Sequence, residues 1–222
     1  MILRHNYMSI IINRYIISYD EAVKKMQSII EDISQNKSED VVWLLEHNSI
    51  YTSGYITYNS WVNKYGHLID GIPLVETERG GQITYHGPGQ RVCYFMIDLR
   101  RKYGKIDLRK FLDDIQQIII DVLGEFGIDA FKDPAYPGVW VKSGTIMNKI
   151  AAIGIRVRKG ISYHGVALNV NTELSFFQLI TPCGIDFKDR GVTSLSAILE
   201  REIQFEQVDQ QLIKHLSRIM KL

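Results

Sequence analysis

Three segments of the chain concentrate residues able to do chemistry. The densest is Arg79-Gly80-Gly81-Gln82-Ile83-Thr84-Tyr85-His86-Gly87-Pro88-Gly89-Gln90. Its glycines let the backbone approach a ligand closely or take positive φ, and Arg79, Gln82, Tyr85 and His86 set donors around that surface. The same composition also suits a turn between strands. It is not a Walker A loop, because no Gly-Lys-Ser/Thr ending follows, and it lacks the three-glycine Rossmann spacing, so ATP and NAD gain no support. The second segment is His164-Gly165-Val166-Ala167-Leu168-Asn169-Val170-Asn171-Thr172, followed by Ile180-Thr181-Pro182-Cys183-Gly184-Ile185. A cysteine between Pro and Gly, outside any periodic stretch, suits an exposed nucleophile: Gly184 leaves room for a substrate and its N–H can face an oxyanion. A small buried hydrophobe is the commoner fate of a free cysteine, and both readings stand at this level.

The third segment is Asn148-Lys149-Ile150-Ala151-Ala152-Ile153-Gly154. Lys149 opens a run of small and apolar residues with strand character, where partial desolvation would bring a lysine towards the range useful for proton transfer. A strand-end lysine in water is the plain alternative. Cys93, inside the apolar run Val92 to Ile97, reads as core. Of the histidines only His86 and His164 fall in the glycine-rich segments, while His5, His47, His67 and His215 lack ligand-like spacing, so no metal site is expected.

These segments need a scaffold, and the composition supplies one. A chain of 222 residues hides roughly 70% of its surface on folding. With 45% hydrophobic and 23% charged residues it is neither disordered nor collagen-like, and a single domain over residues 1–222 is the expectation. Lys plus Arg number 26 against 25 Asp plus Glu, which leaves no whole-molecule field for nucleic acid or an anionic membrane. The two cysteines form no C-x-x-C, excluding a disulfide-dense secreted module and the usual zinc spacings; a reducing cytoplasm fits. No signal peptide or membrane span is read.

Apolar spacing predicts a helix over 20–35, capped by Ser18 or Asp20, and a buried strand over 41–45, then loop and short strand over 47–63. A second helix follows Asp107 on a wide stripe from Leu108 to Phe126. Segments 138–142, 149–158 and 161–170, punctuated by Ser143-Gly144 and Lys159-Gly160, predict an antiparallel meander. Two further helices are expected near 194–201 and 206–220. Mixed elements without regular alternation of strand and helix predict an α+β domain with a largely antiparallel sheet and flanking helices.

Taken in order, Leu45-Glu46-His47 with Tyr51-Thr52-Ser53-Gly54, Arg79 to Gln90, Gly138-Val139-Trp140, Lys149 to Arg156, His164 to Thr172 and Pro182-Cys183-Gly184 resemble the lipoyl(octanoyl) transferases over roughly residues 41–195. The resemblance implies a biotin/lipoate ligase-like fold and an octanoyltransferase that needs no cofactor. The implied donor is octanoyl-acyl carrier protein. The implied acceptors are lipoyl domains of 2-oxoacid dehydrogenase complexes and the glycine cleavage protein. It also implies that Cys183 is the nucleophile that forms a thioester, that Lys149 lowers its pKa and moves protons, and that the acyl group lies against Arg79 to His86, Ala152-Ile153-Gly154 and Gly165-Val166-Ala167. Departures from the family pattern fall at Asn48-Ser49, Arg91 and Phe176 and are expected to affect local packing. An ATP-dependent lipoate ligase on the same fold and a non-catalytic acyl-binding module are the competing readings; the first would not need Cys183.

Overall fold

The computed structural model describes residues 1–5, 8–180 and 190–219. Strands β1 (Ile2–His5) and β2 (Met8–Ile17) lead into α1 (Tyr19–Ser34), which starts where Ser18 Oγ accepts from the Glu21 N–H at 3.2 Å. Its stripe of Ala22, Met26, Ile30 and Ile33 is buried, as the spacing predicts. Strand β3 (Asp40–His47) comes next, then β4 (Ile50–Gly54). The expectation of loop over the rest of 47–63 is wrong, because Tyr55–Tyr65 forms a helix, α2. It is held by partial packing of Tyr58, Trp61 and Val62 and by a stacked pair, Trp61 on Tyr65, rather than by a fully buried stripe, so its period is faint.

Strands β5 (Leu68–Ile69), β6 (Ile72–Thr77), β7 (Thr84–His86) and β8 (Gln90–Met96) precede α3 (Leu99–Tyr103) and α4 (Leu108–Gly124). On α4 the predicted stripe buries Phe111, Ile115, Ile118, Ile119, Val122 and Leu123, each worth roughly 1.5–3 kcal/mol of burial. After β9 (Ala130–Lys132) the predicted meander appears as β10 (Val139–Ser143), β11 (Ile146–Arg158) and β12 (Ile161–Asn169). The chain closes with α5 (Ser175–Gln178), β13 (Arg190–Val192), α6 (Leu195–Leu199) and α7 (Phe205–Ile219).

Among the described residues the large sheet runs β1-β2-β3-β8-β12-β11-β10-β9, with β13 beside β11, and the small sheet runs β5-β6-β4-β7. Pairing is mostly antiparallel, as expected for this α+β fold; β2·β3, β4·β6 and β11·β13 are parallel. Strand β8 displays the two faces of the large sheet. Cys93, Phe95 and Ile97 enter the core built with α4 and α7, whereas Val92, Tyr94 and Met96 pack in a second core with α1. No helix among the described residues is long and apolar enough to cross a membrane.

Candidate active site

A pocket opens on the α1 face of the large sheet, between β8, β11, β12 and the segment from Arg79 to His86, with about 430 Å³ of atom-free space. Val92, Ala152 and Ala167 give it apolar side chains, and Ile153 and Val166 border it although their side chains pack towards the α4/α7 core; Arg79, Thr84, His86 and His164 add polar groups; Gly154 and Gly165 complete it. The three segments singled out from sequence therefore meet here.

Lys149 reaches this side of the sheet through an irregularity. Strict alternation along β11 would group it with Ala151 and Ile153, towards α4 and α7. The pairing with β10 instead slips from Val139↔Ala151 to Trp140↔Lys149, and two consecutive residues, Ile150 and Ala151, both enter the α4/α7 core. One extra residue reverses the facing of what precedes it. Lys149 thus shares the face of Ala152 and Gly154. It is 4% exposed, well inside the strand rather than at its end in water, and Nζ lies 4.8 Å from the centre of the Trp140 ring. Gly138 packs against its aliphatic stem: a Cβ there would come 3.1 Å from Lys149 Cε and 2.7 Å from the Ala151 oxygen, and its φ of +138° also favours glycine. On the other edge β13 runs beside β11, with Val192 opposite Lys149 and the Thr193 N–H donating to the Lys149 oxygen at 3.0 Å.

His164 arrives by a different irregularity. Its φ is +60°, a left-handed conformation uncommon for a non-glycine residue, and its ring lies 4.8 Å from Tyr163 and 6.1 Å from Tyr94, both on the α1 face. Beneath the pocket sit His47 and His86, with ring centres 6.1 Å apart. The His47 Nδ1–H donates to the Ile17 oxygen at 2.8 Å, and Nε2 accepts from the Tyr94 hydroxyl at 2.7 Å. Burial is the main cause that drives His47 down to about 4, and His86 and His164 to about 3; the nearby Arg79 guanidinium adds to the last two. All three rings are therefore neutral near pH 7.

Arg79 is tied down, its Nε and Nη2 donating to Thr52 Oγ1 at 3.0 and 2.8 Å and Nη2 to the Thr52 oxygen at 2.6 Å. A chain of hydrogen bonds then crosses the site. His86 Nδ1–H donates to Gln90 Oε1 at 2.7 Å, Gln90 Nε2 to Asn169 Oδ1 at 2.9 Å, and Asn169 Nδ2 to the Thr193 oxygen at 2.9 Å. Thr193 in turn holds the Lys149 backbone, so the glycine-rich segment and the lysine strand are fixed to one frame.

Not every residue picked from sequence lines this pocket. Gly80 and Gly81 border an adjoining groove with Gly54, Tyr55 and Arg156, and Gly81 has φ +90°. Gln82 is exposed. Ile83 and Tyr85 are buried in a separate core with Tyr51 and Phe177. Two of the departures, Ser49 and Phe176, both hold Tyr85, by a 3.0 Å hydroxyl contact and a stacked ring at 4.8 Å. The third, Arg91, faces α7 and pairs through Nε with Asp209 at 2.7 Å. Cys183 lies outside the described residues. Cys93 is fully buried in β8 and its thiol is pushed up to about 12 by burial, so it is core and no accessible thiolate. Sequence reasoning missed His47, Tyr94 and Tyr19; the alternation of β8 would have placed Tyr94 on the face of Val92.

The mixed sheet thus carries a small pocket lined largely by apolar and histidine side chains, and its β11 turns the buried Lys149 to the same face. The model described as "Lipoyl protein ligase A/B catalytic domain" matches residues 18–217. The octanoyltransferase of Anaplasma phagocytophilum (strain HZ) is 42% identical over 205 residues, covering 92% of this chain and 94% of that one. That of Bartonella bacilliformis is 42% identical over 214 residues, covering 92% and 85%. Among solved structures, the bipartite lipoate protein ligase of Thermoplasma acidophilum superposes with a TM-score of 0.63 at 17% identity, covering 89% of this chain and 79% of that one. A lipoate-protein ligase A bound with ATP gives 0.60 at 18% identity, covering 88% and 81%; at such identity these two support the fold alone. The chain belongs to the lipoyl protein ligase A/B catalytic-domain family and, within it, to the octanoyltransferases. It is an acyltransferase that moves octanoyl groups in lipoylation.

Proposed function

We propose that the chain takes octanoate from a carrier-bound thioester onto Cys183 and passes it to a lysine amine of a lipoyl domain, without ATP. In the first half-reaction Lys149 accepts the Cys183 thiol proton, the thiolate adds to the thioester carbonyl, and collapse breaks the carrier C–S bond; the leaving sulfur takes the proton back from Lys149. In the second, the acceptor amine attacks the Cys183 thioester, Lys149 removes the amine proton, and the Cys183 sulfur leaves and is reprotonated. Exchange of one thioester for another is close to neutral in energy and amide formation runs downhill, so no nucleotide is required. A free thiol of this kind fits a reducing compartment.

The observation that carries this reading is the bulge at Ile150-Ala151, which brings a buried lysine onto the face of an apolar pocket. The sequence that contains Cys183 re-enters the sheet as β13, directly alongside that lysine. An apolar pocket suits the tail, since burial is worth ~0.8 kcal/mol per CH₂. Arg79, Thr84 and His86 of the glycine-rich segment, with Ala152 to Gly154 and Gly165 to Ala167, are read as its acyl-facing residues.

Intact-mass measurement after mixing the protein with octanoyl-carrier protein, and no ATP, tests the proposal. The expected result is one hydroxylamine-labile octanoyl group, mapped to Cys183 and lost on adding a lipoyl domain. Product formation that requires ATP and free octanoate would instead make the chain a ligase, and an adduct that persists in Cys183→Ala would remove the nucleophile.

A further inference from the structure

The order of residues along β11 and β12 gives the pocket a direction. Moving away from Lys149, β11 presents Ala152 opposite Ala167, Gly154 opposite Gly165, and then Arg156 opposite Tyr163. At ~3.3 Å per residue the Ala152 and Arg156 levels are ~13 Å apart. An acyl group joined to sulfur near Lys149 therefore points its tail towards Tyr163 and His164. There the pocket meets Tyr19 and His164, and the same two residues also line a second, open cleft with about 500 Å³ of atom-free space, adjoining solvent included. Val23 and Met26 of α1 and Tyr163 give that cleft apolar walls, while Glu76 and Glu78 lie at its rim. Glu78 is engaged by the Tyr163 hydroxyl at 2.6 Å.

We propose that Tyr19 is the partition that closes the acyl pocket from this cleft under α1 and so excludes saturated acyl tails longer than eight carbons. The inference rests on the acyl reading of the pocket given above. Tyr19 is the side chain that can be removed. It is the first residue of α1, its ring packed on His47 at 5.4 Å, whereas His164 is fixed by its left-handed backbone and by two neighbouring rings. With the partition gone, the two spaces join. Each further methylene that leaves water is then worth about a fourfold gain in relative uptake.

The test is competition between octanoyl- and dodecanoyl-pantetheine for the protein, read as the ratio of the two adducts by intact mass. In Tyr19→Ala the dodecanoyl-to-octanoyl ratio is expected to rise at least about tenfold over the unsubstituted protein, within the limit of about fourfold per added methylene. Tyr19→Leu, which keeps an apolar side chain at the head of α1, should move the ratio the same way and guards against unfolding as the cause. Adding Val23→Phe to Tyr19→Ala refills the cleft and should return the ratio towards its starting value. An unchanged ratio in a Tyr19 variant that still accepts octanoate overturns the partition, as does a rise that Val23→Phe leaves in place. If the unsubstituted protein takes up neither chain, the acyl reading itself falls, and this inference with it.

Discussion

On the α4/α7 face of the large sheet the buried side chains of β8, β11 and β12 are chiefly apolar, and the charge of Arg91 is met by two oxygens of Asp209 and by the face of Phe205. On the α1 face the same sheet buries Lys149, His47, His164 and Gln90 among rings and small residues, with His86 of the small sheet packed beside them. One face follows the rule that apolar side chains go inside and stray charges are matched. The other keeps titratable groups out of water beside a pocket, an arrangement that costs stability and is a mark of functional sites. The difference teaches that one sheet can serve as scaffold and as reaction surface, provided the two burdens fall on opposite faces.

The largest expected consequence is acid sensitivity arising chiefly from the α1 face. The folded-state values of His47, about 4, and of His86 and His164, about 3, lie below the ordinary 6.5. The unfolded chain therefore binds more protons, and stability falls as pH drops from 6.5 towards 4. Each histidine contributes ~1.4 kcal/mol per pH unit in that window. Three together approach ~8 kcal/mol near pH 4.5, comparable with the whole stability of a typical domain. Near-UV circular dichroism should show the fold lost between about pH 6 and 4, with the proton uptake reduced by about one in His86→Gln. A stability flat across this range would show that the three rings are not buried neutral.

Next is Lys149 itself. If it moves protons in both half-reactions, Lys149→Arg keeps a cation that does not release its proton near neutrality, and octanoyl transfer should fall ~10²–10⁴-fold with the far-UV spectrum unchanged. The pH dependence of iodoacetamide alkylation of Cys183 should also shift upwards in Lys149→Ala, since a neighbouring cation favours the thiolate. Near-normal turnover in the arginine variant would reduce the lysine to an electrostatic neighbour.

The same contrast explains what was legible in the sequence. The α4/α7 side rests on plain periodicity, so the α4 stripe and the meander could be read directly, and on the other face the stripe of α1 was equally plain. The α1 side departs from periodicity wherever it matters. Strict alternation places Lys149 with Ala151, and only the slipped register against β10 reverses it. His164 owes its place to one left-handed residue that no spacing announces. His47, set aside because it had no ligand-like neighbours in sequence, meets His86 and Tyr94 only through the pairing of β3 with β8 and the packing of the small sheet. Helix α2 was missed because its packing is partial. The glycine-rich segment was visible as a whole, but its division between pocket, adjoining groove and separate core depends on tertiary packing around Tyr85.

On the α4/α7 face the matched charge offers the next test. Removing either Arg91 or Asp209 alone leaves a buried partner charge, because their side chains are 2% and 12% exposed. Arg91→Leu or Asp209→Leu should then each cost ~3–5 kcal/mol, while the double variant should recover most of that loss. Urea unfolding of the four proteins forms the cycle. Equal losses that simply add would mean that the pair is not coupled and that this face tolerates bare charge after all.

The smallest effect compares one helix cap from each face. Ser18 Oγ holds the Glu21 N–H at 3.2 Å at the head of α1, and Asp107 Oδ1 holds the Lys110 N–H at 3.0 Å at the head of α4. Loss of either cap in Ser18→Ala or Asp107→Ala should cost ~1 kcal/mol, or about 2–4 °C in Tm for a chain of this size. Global stability alone will not separate them. Local opening will, because Tyr19 is the residue after the first cap and sits on His47 and the pocket, whereas the first turn of α4 touches no part of the site. Amide exchange over 19–23 should therefore quicken in Ser18→Ala and stay as it was in Asp107→Ala. Octanoyl transfer should weaken only in the first, through a rise in KM as the wall of the pocket loosens. An equal loss of transfer in both variants would show that the scaffold face and the reaction face are not mechanically separate.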